Sequence, residues 1–344
     1  MKTMLAARYL GPNRVNAKEV SVPEIGDDEA LIKVEACGFC GSDISIVAGT
    51  HPRAKAPLTL GHELSGKIIE IKSSESSLVV GDNVTMFPLI ACGECHACTH
   101  GNPQVCRDLK LYGFDLDGGM AQFVKLPVSS LMRLPDEMPA RIGALIEPLA
   151  VAVHGVSRSN LDDVSLAVVL GAGPIGLLTA LVAQEKRIPN VLISDVLPAR
   201  RALAEKLGLK AIEAGESLHR LVMDLSNNEG ADLVFECAGH PSSAIEMCSL
   251  VRPRGVIVNL GVFKKAVAID LQTINFKELQ ILGSRVYERC DFEIAIDLAM
   301  RLPLANIVSH AYSLRDVGAA FEKFKSGQVC KALILPLEEI SEPV

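Results

Sequence analysis

Ser165-Leu166-Ala167-Val168-Val169-Leu170-Gly171-Ala172-Gly173-Pro174-Ile175-Gly176 is an apolar run that breaks into three glycines, and residues 177–186 continue it with helical spacing. A lone G-x-G-x-x-G is a weak signal, but one that leaves a strand and opens a helix has a mechanism behind it. Gly171 makes the tight turn, Gly173 lets the backbone approach a pyrophosphate, and Gly176 permits close helix–strand contact. Pro174 and Ile175 complete the turn at the helix N-terminus, whose positive end faces phosphates. The next apolar run, 191–194, is followed by Asp195, nineteen residues after Gly176, where an acid binds a ribose 2′-hydroxyl. Val196 follows it, so no arginine stands immediately beside Asp195 to receive a 2′-phosphate, which favours NAD over NADP. Arg200 and Arg201 are near enough to weaken that preference, and Arg200 is counted with the cofactor-binding residues.

Outward from this turn, the apolar runs 165–170, 191–194, 232–235, 256–260 and 279–282 read as strands buried on both faces. Helical stretches at 199–207 and 242–251 alternate with them. Together they imply an α/β domain built on a doubly wound parallel sheet. Upstream, to about Pro135, the texture is different: short strands such as 30–36, 64–71, 83–87 and 121–126 lie between Gly and Pro turns, as in an irregular β-rich domain. Residues 144–158 read as a helix linking the two. Residues 291–301 and 316–325 read as further helices, and 332–335 as a closing strand.

A chain of 344 residues with 49% hydrophobic and 22% charged residues fits two globular domains. The net charge of −7, without a basic block, argues against nucleic acid or an anionic membrane as partner. No apolar run is long enough to span a bilayer and the N-terminus lacks a signal-peptide pattern, so the expected location is the cytoplasm. Of the ten cysteines, Cys92, Cys95, Cys98 and Cys106 fall within fifteen residues. In a reducing compartment such clustering points to metal rather than to disulfides. Four thiolates on one compact loop are what a closed structural zinc site needs, although an iron–sulfur cluster also accepts four. His96 and His100, in the same loop, read as surface residues. Cys237, Cys248, Cys290 and Cys330 read as buried small residues.

A second constellation is looser. Cys37-Gly38-Phe39-Cys40-Gly41-Ser42-Asp43 is followed by Gly61-His62-Glu63. A thiol, an imidazole and a carboxylate from separate segments suit a catalytic zinc, which keeps a position open for water or substrate. On spacing alone, Cys37 and Cys40 suit a redox pair or half of a zinc ribbon equally well.

Taken together with Gly118-Gly119-Met120-Ala121-Gln122-Phe123 and Ile146-Glu147-Pro148-Leu149-Ala150, these motifs resemble the zinc-containing medium-chain dehydrogenase superfamily, in particular its polyol, threonine and sugar-acid branch. The resemblance covers essentially the whole chain. It implies a GroES-like β-rich catalytic domain from residues 1–155 and 291–344, and a Rossmann NAD-binding domain from residues 156–290. It also implies two zincs per chain, NAD as cofactor, and a homodimer or homotetramer. By the same resemblance Cys40 and His62 are catalytic zinc ligands and Cys37 is not, with a glutamate, Glu63 or Glu147, where many alcohol dehydrogenases have a second cysteine.

One thiolate and one carboxylate neutralise zinc, and a second carboxylate makes the centre anionic and a weaker polariser. The expectation is therefore that Glu63 and Glu147 exchange, or that one of them holds the zinc-bound water, with Asp43 orienting a ligand. The implied reaction is oxidation of a secondary alcohol of a small hydroxylated metabolite to a ketone, with Ser42 as first proton acceptor. Relatives often carry a histidine three residues after that serine, where this chain has Ser45, so the proton must leave by water, Glu147 or His51. His51 itself reads as an exposed loop residue, and His154 as a buried interdomain residue. Arg285, in Gly283-Ser284-Arg285 after the last strand, is a candidate for a substrate carboxylate, for the cofactor, or for a nearby acid. A non-catalytic NAD- and zinc-binding protein of the same fold is the alternative, as is a zinc-free quinone reductase. The full set Cys40, Ser42, His62, Glu63 and Glu147 weighs against both.

Overall fold

A computed structural model describes residues 2–327 and 329–338. The chain divides into two compact units, Met1–Glu147 with Glu288–Val344, and Pro148–Tyr287. The division falls near the start of the helix Ile146–Ser157 rather than at 155, and the chain rejoins the first unit at Glu288 rather than at 291. Among the described residues no helix is long and apolar enough to cross a membrane.

The first unit is built on a seven-stranded sheet. Its path runs Leu131–Arg133, Asn83–Met86, Glu63–Lys72, Glu29–Gly38, Lys331–Ile334 and Val308–Tyr312, with Phe123–Pro127 also pairing with Glu29–Gly38. A three-stranded sheet of Val15–Ser21, Thr3–Tyr9 and Leu58–Thr59 adjoins it. The register matters for the site. Gly38 ends its strand opposite Glu63, which begins the neighbouring one, and Leu333 pairs with Gly38 from the other side. Three strand ends therefore deliver Gly38, Glu63 and Lys331 to one place. The chain then turns into the short helix Gly41–Val47, where Asp43 accepts the Cys40 N–H at 2.9 Å and fixes the first turn.

The second unit is a six-stranded parallel sheet. Its order is Lys210–Glu213, Asn190–Asp195, Leu166–Leu170, Ala231–Glu236, Val251–Asn259 and Gln280–Gly283, the strand sequence 3-2-1-4-5-6 of a doubly wound fold. Helices Pro174–Glu185, Pro198–Lys206 and Pro241–Leu250 each begin with proline, whose missing N–H costs nothing in a first turn. Val168, Leu170, Leu192, Val234 and Ile257 from the sheet pack with Leu218, Val222 and Met247 from the helices in one core. The central runs are buried on both faces as their composition requires. Gln280–Gly283 is not: it is the last strand of the sheet, and three of its four residues are exposed.

Candidate functional site

The lobe from Cys92 to Cys106 brings its four sulfurs together. The Sγ–Sγ separations are 3.5 Å for Cys95–Cys98 and Cys92–Cys106, 3.8 Å for Cys95–Cys106 and 4.0 Å for Cys92–Cys98. A tetrahedron of thiolates around zinc has an edge of about 3.8 Å, so the four fit that ion. Backbone N–H groups support the thiolates: Cys92 donates to Cys106 Sγ at 3.3 Å and Cys95 to Cys92 Sγ at 3.4 Å. The N–H groups of Arg107 and Cys98 hold the Cys95 thiol down to about 6, well below the usual thiol range. His96 and His100 are exposed, as their reading required, and their rings stack on each other at 4.0 Å. Of the other cysteines, Cys248 is buried and Cys237 and Cys330 are half-buried, but Cys290 is exposed at the start of the helix Arg289–Ala299, contrary to expectation.

At the strand ends, one donor atom from each of Cys40, His62 and Glu63 lies within 4.8 Å of the others. Glu147, buried in the first turn of its helix, lies outside that group. Its charge nevertheless reaches His62 and Lys331. Burial alone would push the His62 imidazole down, yet Cys40, Glu147 and Asp43 raise it to about 10. So much negative charge around a buried histidine is a donor set suited to a cation. Three atoms here are buried without a hydrogen-bond partner among the described residues: Ser42 Oγ, His62 Nδ1 and Asp43 Oδ1. Asp43 is pushed up to about 6 by burial, against the pull of His62. Cys37 is fully buried, burial pushes its thiol well up, and it lies outside the group formed by Cys40, His62 and Glu63.

Lys331 was not legible as a site residue. It is buried, donates from Nζ to the Phe39 carbonyl at 2.8 Å, and forms an ion pair with Glu63 Oε2. Burial disfavours its charge, but Glu63, Cys40 and Glu147 outweigh that and raise its pKa. Gly38 makes the room, since a Cβ there would stand 2.0 Å from Glu63 Oε2. The signal available in the sequence was a lysine at the head of the apolar closing strand.

In the second unit the glycine turn has the geometry its spacing called for. Gly171 has φ +97°, and a Cβ on Gly176 would stand 1.8 Å from the Gly171 carbonyl oxygen. A Cβ on Gly173 would meet nothing within 4 Å, which leaves open space ahead of the helix that Pro174 and Ile175 begin. That opening at the helix N-terminus fits a pyrophosphate. Asp195 is buried beside the turn. Its Oδ2 accepts the Ala172 N–H at 2.9 Å, its Oδ1 accepts the Leu197 N–H at 2.9 Å, and Arg200 approaches Oδ2 at 3.4 Å. Arg285 lies past the end of the edge strand, exposed and without an ion-pair partner among the described residues. His154 is buried.

Residues 26–136 match the alcohol dehydrogenase GroES-like domain, and residues 174–301 match the zinc-binding dehydrogenase domain. The chain is 36% identical over 338 residues to a 2-dehydro-3-deoxy-L-galactonate 5-dehydrogenase of Pseudoalteromonas atlantica, covering 96% of this chain and 98% of that one. It is 33% identical over 346 residues to a sorbitol dehydrogenase of Halalkalibacterium halodurans, covering 98% and 100%. Among solved structures, a protein of Sinorhizobium meliloti assigned as a zinc-binding dehydrogenase and bound to NADP superposes with a TM-score of 0.92 at 32% identity, covering 98% of this chain and 100% of that one.

Proposed function

We infer the reaction of this chain from its family: it belongs to the zinc-containing medium-chain alcohol dehydrogenases, and it is a nicotinamide-dependent oxidoreductase of alcohols. Within that family we propose that it oxidises a secondary alcohol of a small polyol or sugar acid to a ketone, with NAD as hydride acceptor. The observation that carries this reading is the grouping of Cys40, His62 and Glu63 beside the unpartnered Ser42 hydroxyl. One thiolate, one imidazole and one carboxylate leave a tetrahedral ion one open position for the substrate oxygen. Zinc bound there supplies a Lewis acid that lowers the pKa of an alcohol hydroxyl.

In this proposal Glu63 would be the third residue to hold the zinc, and Glu147, outside that group, would accept a hydrogen bond from a water or the substrate hydroxyl. The buried Lys331 changes the charge argument. With it, zinc, the Cys40 thiolate and both glutamates sum to no net charge, so the second carboxylate is offset and Asp43 is left as the remaining negative charge. Ser42 Oγ has no hydrogen-bond partner among the described residues and takes the hydroxyl proton as an acceptor that can donate onward. Asp195 beside the glycine turn supports NAD, because a 2′-phosphate there would meet a carboxylate.

The exposed edge strand Gln280–Gly283, with Phe276 at 78% and Leu271 at 72% exposure nearby in sequence, supports a homodimer or homotetramer. The four-thiolate site supports a reducing, cytoplasmic location. The test is a substrate screen that follows NADH production by protein carrying two zincs per chain, across polyols, hexonates, threonine and 2,3-butanediol. Turnover of at least one is expected, and none at all overturns the reading. Arg285→Met decides the role of Arg285: an unchanged substrate profile and KM remove it from the substrate site.

A further inference from the structure

We propose that His51 is a fixed, neutral hydrogen-bond donor that binds a second oxygen of the substrate, so that the chain selects alcohols carrying another oxygen function over monohydric ones. The inference rests on the zinc dehydrogenase reading and adds to it the residue that selects for a second substrate oxygen.

The loop that holds His51 is tied to the metal centre. The His51 N–H donates to the Ser45 carbonyl at 3.1 Å and the Thr50 N–H to the same oxygen at 3.0 Å, pinning the loop to the helix whose first turn carries Ser42 and Asp43. The His51 side chain is half-buried and packs edge-on against Phe114 at 5.0 Å, and Phe114 packs edge-on against His62 at 4.9 Å. One benzene ring thus separates His51 from a candidate metal ligand. An exposed loop residue would not be held in this way.

The tautomer follows from the loop's own hydrogen bonds. His51 Nδ1 faces two backbone donors, the Ala54 N–H at 3.1 Å and the Arg53 N–H at 3.4 Å. A neutral imidazole whose Nδ1 accepts carries its proton on Nε2. Nε2–H has no partner among the described residues. Taking up a second proton would place it on Nδ1, against both donors. Burial and Arg53 lower the His51 pKa below 6.5, with Asp115 acting the other way. These features close His51 as a proton exit and leave it one chemical capability, donation from Nε2 to an acceptor. Beside a site that binds an alcohol oxygen, the fitting acceptor is another oxygen of the same molecule: a neighbouring hydroxyl, or an oxygen of a carboxylate.

Zinc-loaded, cofactor-free protein labelled with 15N-histidine tests the tautomer directly. At pH 7 His51 should show a protonated Nε2 and an unprotonated Nδ1, with a titration midpoint below 6.5. His51→Phe, which keeps a ring against Phe114, tests the role. Two zincs per chain and NADH binding should persist. The kcat/KM of the fastest polyol in the screen should fall about 10-fold, while that of 2-butanol stays unchanged. His51→Gln, which keeps an N–H donor, should recover part of the loss. A proton on Nδ1 overturns the proposal, as does an equal fall, or no fall, for both alcohols. If the wild type oxidises no member of the screen, the dehydrogenase reading fails instead, and the 15N spectrum still decides the tautomer.

Discussion

Lys331 and Glu63 are both almost fully buried, and each is the other's counter-charge. Breaking such a pair from one side strands a charge in low dielectric, at a cost of about 3–5 kcal/mol. Lys331→Met should therefore lower the stability of zinc-free protein by about that amount in chemical denaturation. The loss should shrink when zinc is present, because the ion takes over as counter-charge for Glu63. An equal loss with and without zinc would separate the pair from the metal centre. At this scale spacing alone left Cys37 and Cys40 ambiguous, and only the family resemblance joined Cys40 and His62 to Glu63 or Glu147. Lys331 joins Glu63 across 268 positions, and strand pairing alone makes that contact. His51 was misjudged for a related reason: the ring that packs it, Phe114, lies in a distant loop, so a position before Pro52 read as an exposed one.

The glycine turn separates two effects that a motif runs together. Gly176→Ala places a methyl 1.8 Å from a backbone oxygen and cannot be relieved by moving a side chain. It should lower both the melting temperature and NADH affinity. Gly173→Ala meets no protein atom within 4 Å and should leave the melting temperature within about 2 °C, since the change in stability is small. Its NADH affinity should still fall by about 10-fold, because the methyl fills the space of the phosphates. Calorimetry and NADH titration of the two variants check this, and parallel losses in both would contradict it. The four-cysteine lobe behaves as a unit as well. Cys95→Ser should bring zinc from two equivalents per chain to one, measured by metal analysis, and open the lobe to proteolysis.

The central strands and their helices were legible because burial on both faces leaves continuous apolar runs. Lys210–Glu213, short and edge-placed with both its end residues exposed, left no such run and went unread. Gln280–Gly283 was read as fully buried because Ile281 and Leu282 are apolar, a feature that an edge strand waiting for a partner shares with a central one.

At the scale of the whole molecule, the candidate metal donors Cys40, His62 and Glu63 belong to the first unit and the glycine turn to the second. Charge and composition described the kind of protein but not this division, since the first unit is closed by segments from both ends of the chain. An edge strand with exposed apolar neighbours predicts self-association. Light scattering should give a dimer or tetramer mass, and Ile281→Lys should shift it toward the monomer of 36.8 kDa. A wild type already at that mass would contradict the assembly. The claim on which the rest depends is that Cys40, His62 and Glu63 hold a catalytic zinc. The most direct measurement is metal content and NADH formation in His62→Gln, assayed beside the wild type on the best alcohol of the screen. The account predicts two zincs and NADH formation for the wild type, and one zinc with activity reduced at least about 100-fold for the variant. A variant that binds a single zinc and still forms NADH at the wild-type rate would contradict it.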